Sequence, residues 1–141
     1  MRAFCDISLL LAVALKDAHE RKALAALHYF RDSVVIPALV AFEAENRLRF
    51  LRLTDALSPD DAAQTRRKLA ALVNGPVRPV PLARTTLLLA EGRRLLAHHS
   101  PDTPHGSLDT LHVATAALAR ATAFLTFDKN QRELAACFGA P

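Results

Sequence analysis

Short apolar runs alternate with longer stretches of helical periodicity along the chain. Residues 2–5 are a compact, strand-like run, and residues 8 onward read as helix, broken near Lys16 and Asp17 and resuming through "ERKALAALHYF". "SVVIP" is a second short strand ended by Pro37. In "ALVAFEAENRLRFLRL", Leu39, Phe42, Leu48 and Leu51 recur every three or four positions, predicting a helix with Pro37 at its first turn. "SPDDAAQTRRKLAALVNG" begins with Ser58 as N-cap and Pro59 just inside, and closes on Asn74-Gly75. "VRPVPL" is extended, and its prolines predict an outer strand. The helix "ARTTLLLAEGRRLLAHH", the loop "SPDTPHG", a helix from Ser107 to about Arg120, the strand "TAFLTF" and a last helix near "NQRELAACF" follow.

Strands alternating with helices predict an α/β fold with a short, mainly parallel sheet flanked by helices. No repeat or linker divides the chain, so residues 1–141 are expected to form one domain. In such sheets ligands bind beyond the carboxyl ends of the strands. Asp6 and Asp128 both stand at strand carboxyl ends.

Composition narrows the class. Half of the 141 residues are apolar and only four are glycine, which excludes disordered and fibrous chains. Lysine and arginine outnumber aspartate and glutamate by 18 to 14, clustering at Arg47/Arg49/Arg52, Arg66/Arg67/Lys68 and Arg93/Arg94. Such clusters are either solvated helix faces or contacts for a polyanion. Cys5 and Cys137 have no metal-ligand spacing and read as small buried hydrophobes in a reducing cytoplasm. Residues 7–15 imitate a signal peptide, but the run is too short to span a bilayer and Asp6 stands at its mouth, so no membrane association is expected.

Four acids carry the chemistry, and each has an ordinary reading. Asp6 suits an N-cap, Asp128 with Gln131 resembles a capping box, Asp109 suits the first turn of a helix, and Glu43 has Arg47 one turn on. Their joint placement beside strand ends and packed helix faces points further. If the four converge, charges about 5 Å apart at an effective dielectric of 20 repel by roughly 3 kcal/mol per pair, and a cation is needed. Oxygen-only ligands select Mg²⁺ or Mn²⁺, and such an ion suits phosphodiester hydrolysis.

"FCDISLL", "PALVAFEAENRLR" and "LDTLHVATAALARATAFLTFDKNQRELA", in this order, resemble the PIN-domain family, most closely the VapC-type ribonuclease toxins of bacterial toxin–antitoxin pairs. The resemblance covers nearly the whole chain and implies a PIN-like sandwich with a four- or five-stranded sheet. It implies a metal-dependent endoribonuclease using Asp6, Glu43, Asp109 and Asp128. Asp6, Asp109 and Asp128 are its metal ligands, and Glu43 is a further ligand or orients the attacking water. Ser8, Asn46 and Thr126 match polar neighbours of the acids. His112 reads as a packed histidine or a partner of Asp109, not as a base.

The resemblance also implies an RNA substrate, an antitoxin partner and a homodimer. The family often places a hydrophobic residue soon after the last acid, whereas here Lys129, Asn130 and Gln131 follow. The rival reading is a non-catalytic PIN-like module binding RNA or protein. A phosphatase with an Asp-x-Asp nucleophile lacks its second aspartate at Ser8, and Rossmann and P-loop functions lack their glycine-rich loops.

Overall fold

The computed structural model describes residues 2–98 and 104–136. Cys137 and the end of the last expected helix lie outside them. Four strands form one wholly parallel sheet in the order β3-β2-β1-β4: β1 (Ala3–Cys5), β2 (Val34–Pro37), β3 (Val77–Val80) and β4 (Ala123–Leu125). The connections are α1 (Ile7–Leu15) and α2 (Glu20–Phe30), then α3 (Ala38–Leu53) and α4 (Pro59–Val73), then α5 (Thr85–His98) and α6 (Ser107–Leu118). The last described helix is α7 (Lys129–Ala136).

Each strand is short because a helix signal interrupts it. β1 ends where the Asp6 side chain accepts a hydrogen bond from Ser8 N and starts α1. α1 is apolar on most sides, burying Ile7, Leu9, Leu10, Ala12 and Ala14. It stops at Lys16, whose left-handed backbone (φ 55°) turns the chain toward α2. Pro37 ends β2 and is the N-cap of α3 rather than a residue of its first turn. β3 is the expected outer strand, with Val77 buried and Arg78 and Pro79 exposed. β4 ends at Leu125, two residues short of the expected run, because the Thr126 hydroxyl turns to Asp6.

The core residues of α3 differ from the expected set. Val40, Ala44 and Leu48 face inward, whereas Phe42 is 66% exposed. Phe42 lies two positions from both Val40 and Ala44, about 200° round the helix, so it points away when they point in. Leu39 and Leu51 are half-buried.

Phe4 stacks on Phe124 (5.0 Å between centroids, 11° between planes) and tilts toward His112 at 6.5 Å, tying β1, β4 and α6 into one apolar centre. α5 packs on α6, and α4 lies against α1 and α3. The order of strands reverses between β1 and β4, so the crevice beyond their carboxyl ends is the place for a ligand.

α4 begins at a cap the sequence predicts. Ser58 Oγ accepts from Asp61 N at 3.1 Å and lies 2.6 Å from the Asp61 carboxylate. Ser58→Ala is expected to destabilise the protein by about 1 kcal/mol. A urea midpoint unchanged from the parent would show that the cap contributes nothing.

Candidate active site

Asp6 is 1% exposed, and its backbone N–H donates to Leu125 O at 3.0 Å, extending the β1–β4 ladder by one bond. Its Oδ2 accepts from Ser8 N and from Thr126 Oγ1, both at 3.1 Å. The Thr126 hydroxyl in turn accepts from Asp128 N at 2.9 Å. With its proton given to Asp6, Thr126 receives that of Ser8, whose Oγ lies 3.3 Å away and accepts from Phe127 N at 2.9 Å. Ser8 and Thr126 therefore lock the turn after β4 against the turn after β1.

The capping and clustering readings of Asp128 are both correct. Its Oδ1 accepts from Gln131 N at 2.9 Å and caps α7, while the residue lines the same cavity as Asp6. That cavity, about 490 Å³, is lined by Asp6, Ser8, Glu43, Asn46, Asp109 and Asp128, together with Arg47, Phe50 and Gln131. All four acids thus line one cavity, from the ends of β1 and β4 and from α3 and α6, but among the described residues the metal-ligand atoms that come within 4.8 Å of one another are those of Asp6, Glu43 and His112.

Three further residues hold the acids, and sequence reasoning missed their roles. His112, fully buried on α6, makes a 2.7 Å hydrogen bond from Nε2 to Glu43 Oε2. Its partner is neither Asp109 nor solvent. Glu43 correspondingly makes no ion pair with Arg47, whose guanidinium lies over the Phe50 ring at 5.4 Å. Buried Gln131 donates from Nε2 to Asp109 Oδ1 at 2.9 Å. Gly106 caps α6, and a Cβ there would stand 2.8 Å from Asp109 Oδ2, so its missing side chain leaves room for that carboxylate. Neither partner is near in sequence, Glu43 lying 69 positions from His112 and Asp109 lying 22 from Gln131, so no local spacing signals either bond.

The donor set fits a hard cation. Asp6 Oδ1 is buried without a hydrogen-bond partner, although the other oxygen of the same carboxylate has two. Among the described residues no lysine or arginine pairs with any of the four acids. Ligand atoms of Asp6, Glu43 and His112 lie within 4.8 Å of one another. His112 Nε2 already serves Glu43, and among the acids the unpartnered Asp6 Oδ1 is an oxygen of the kind a hard cation takes. Neighbouring Cys5 is buried, its thiol pushed well up by desolvation and further by the Asp6 charge, so it remains a protonated thiol.

A PIN-domain family profile matches residues 3–136, and the chain belongs to the PIN-domain family. No curated protein sequence matches it significantly. Among solved structures it is similar to VapC20 of Mycobacterium tuberculosis, described as a sarcin–ricin-loop-cleaving toxin. The TM-score is 0.66 at 17% identity, covering 92% of each chain, and this likeness establishes the shared fold. Among the described residues no helix is long and apolar enough to cross a membrane.

Proposed function

We propose that this protein is a metal-dependent endoribonuclease acting as the toxin of a toxin–antitoxin pair in the cytoplasm. The observation that carries the reading is the buried, unpartnered Asp6 Oδ1 in a cavity shared by four carboxylates, with no lysine or arginine paired to them among the described residues. Asp6, Asp109 and Asp128 would hold Mg²⁺ or Mn²⁺. When bound, the ion supplies neutralising charge at the phosphoryl oxygens and an acidified water.

The chain's own residues do the rest. His112 fixes Glu43 through Oε2, leaving Oε1 to take the proton of the attacking water. Gln131 orients Asp109, and the Ser8–Thr126 pair orients Asp6. Asn46 lies at the cavity edge as a polar contact for substrate. The reading extends to a small antitoxin protein as partner and to a homodimer.

Hydrolysis by water leaves the neighbouring 2′-hydroxyl unused. The expected products are a 5′-phosphate on the downstream fragment and a 3′-hydroxyl upstream. The likeness to a sarcin–ricin-loop-cleaving toxin makes that RNA loop the first substrate to test. Incubation with Mg²⁺ or Mn²⁺, followed by sequencing and end analysis of the fragments, reads both target and chemistry. Fragments ending in a 2′,3′-cyclic phosphate, or cutting that survives complete chelation of divalent ions, would rule out the carboxylate mechanism.

A further inference from the structure

α3 presents two adjoining stripes to solvent. Glu43, Arg47 and Phe50 stand at i, i+4 and i+7 and line the acidic cavity. Phe42, Asn46 and Arg49 repeat that spacing on the neighbouring stripe and line a second groove of about 380 Å³, completed by Glu45, Arg52 and by Arg66 of α4. Asn46 belongs to both, so the groove opens from the site itself.

The two stripes have a chemistry the cluster of acids does not explain. Phe42 and Phe50 are 66% and 53% exposed, one beside each cavity. A single exposed phenylalanine is ordinary, but here one lines the acidic cavity and the other the groove that opens from it, and Arg47 lies over the face of the first. The groove between α3 and α4 carries three arginines against one glutamate. Flat aromatic faces beside arginines match nucleobases joined by phosphates.

We infer that this face of α3 is the track for unpaired RNA, with Phe50 and Phe42 stacking bases beside the scissile phosphate and Arg49, Arg52 and Arg66 holding the adjoining phosphates. The inference rests on the ribonuclease reading and assigns the side chains of this chain that would grip the strand beside the cut. Bases inside a duplex are already stacked and cannot reach these rings. Phe50, two helical turns from Glu43, lies roughly 10 Å from it along the helix axis and acts as a positioning residue.

The test uses the full chain carrying Asp128→Asn, with divalent ions chelated. Its probes are a fluorescent oligoadenylate and an abasic oligomer of equal length. Phe50→Ala is expected to weaken oligoadenylate binding roughly 5- to 100-fold and to leave abasic binding within about twofold. Arg66→Glu should weaken both probes and flatten the dependence of affinity on salt. Because both rings are exposed, the melting temperature should not move.

Equal effects of Phe50→Ala on the two probes, or none on either, would overturn the stacking role. So would intact RNA binding with loss of a co-purifying protein partner, which would make the face a protein interface. Base-dependent binding without any cleavage by the parent protein would leave the track standing and remove the ribonuclease reading.

Discussion

Asp6→Asn is expected to abolish RNA cleavage while raising the melting temperature of the metal-free protein. An asparagine keeps one oxygen to accept from Ser8 N and Thr126 Oγ1, so the start of α1 and the lock between the two turns survive. Its amide then replaces the unpartnered Oδ1. One negative charge leaves a cluster in which Asp6 and Glu43 oxygens lie within 4.8 Å. A relief on the order of 1 kcal/mol would raise the melting temperature by about 3–6 °C.

The loss of a ligand acts in the opposite direction on function. Cleavage should fall on the order of 10³-fold. The parent should gain about 2.7 kcal/mol of stability from Mn²⁺ at a hundredfold excess over Kd, and the variant should lose most of that gain. Calorimetry with and without Mn²⁺, beside a cleavage assay, separates the two effects. A variant that melts below the parent without metal, or cuts within tenfold of it, would sink the assignment of Asp6 as a ligand.

His112→Ala is expected to cost roughly 2–4 kcal/mol of stability and, separately, 10- to 100-fold in cleavage by the folded protein. The ring is fully buried beside Phe4, so truncation leaves a cavity next to the stacked pair Phe4–Phe124. It also leaves Glu43 without its only hydrogen-bond partner among the described residues. Combining His112→Ala with Glu43→Gln distinguishes packing from positioning, because two residues acting through one hydrogen bond give losses of activity that do not add. If the single variant is unstable yet cleaves at the parental rate per folded molecule, His112 is a packing residue alone.

These roles mark the boundary of what the chain reveals without its fold. Element order was legible because local signals agree: Asp6 and Ser58 as caps, Pro37 and Pro79 at a strand end and a sheet edge, Lys16 near a helix break. That Asp6, Glu43, Asp109 and Asp128 line one cavity was legible only jointly, from their placement beside strand ends and from the order of the motifs. Phe42 was misplaced because periodicity gives spacing but not which side of α3 meets the sheet. His112 was assigned to its own helix because its true partner, Glu43, is 69 positions away, and no local rule links them. The same holds for Gln131, whose capping of α7 was legible and whose bond to Asp109 on another helix was not.

The pairing of β1 with β4 has a consequence for how such a protein is made. Ala3 lies beside Ala123 and Cys5 beside Leu125, so β1 finds this neighbour only after about 120 further residues have been synthesised. Until then Asp6 has no Thr126 to hold it, and Asp109 has no Gln131. On the ribonuclease reading, a chain still emerging from the ribosome lacks Asp109 and Asp128 beside Asp6 and Glu43 and would not cut the RNA around it. Competence arrives abruptly, when a late contact of high sequence separation closes the sheet. A partner that captured the chain before that closure would meet a protein not yet able to cut.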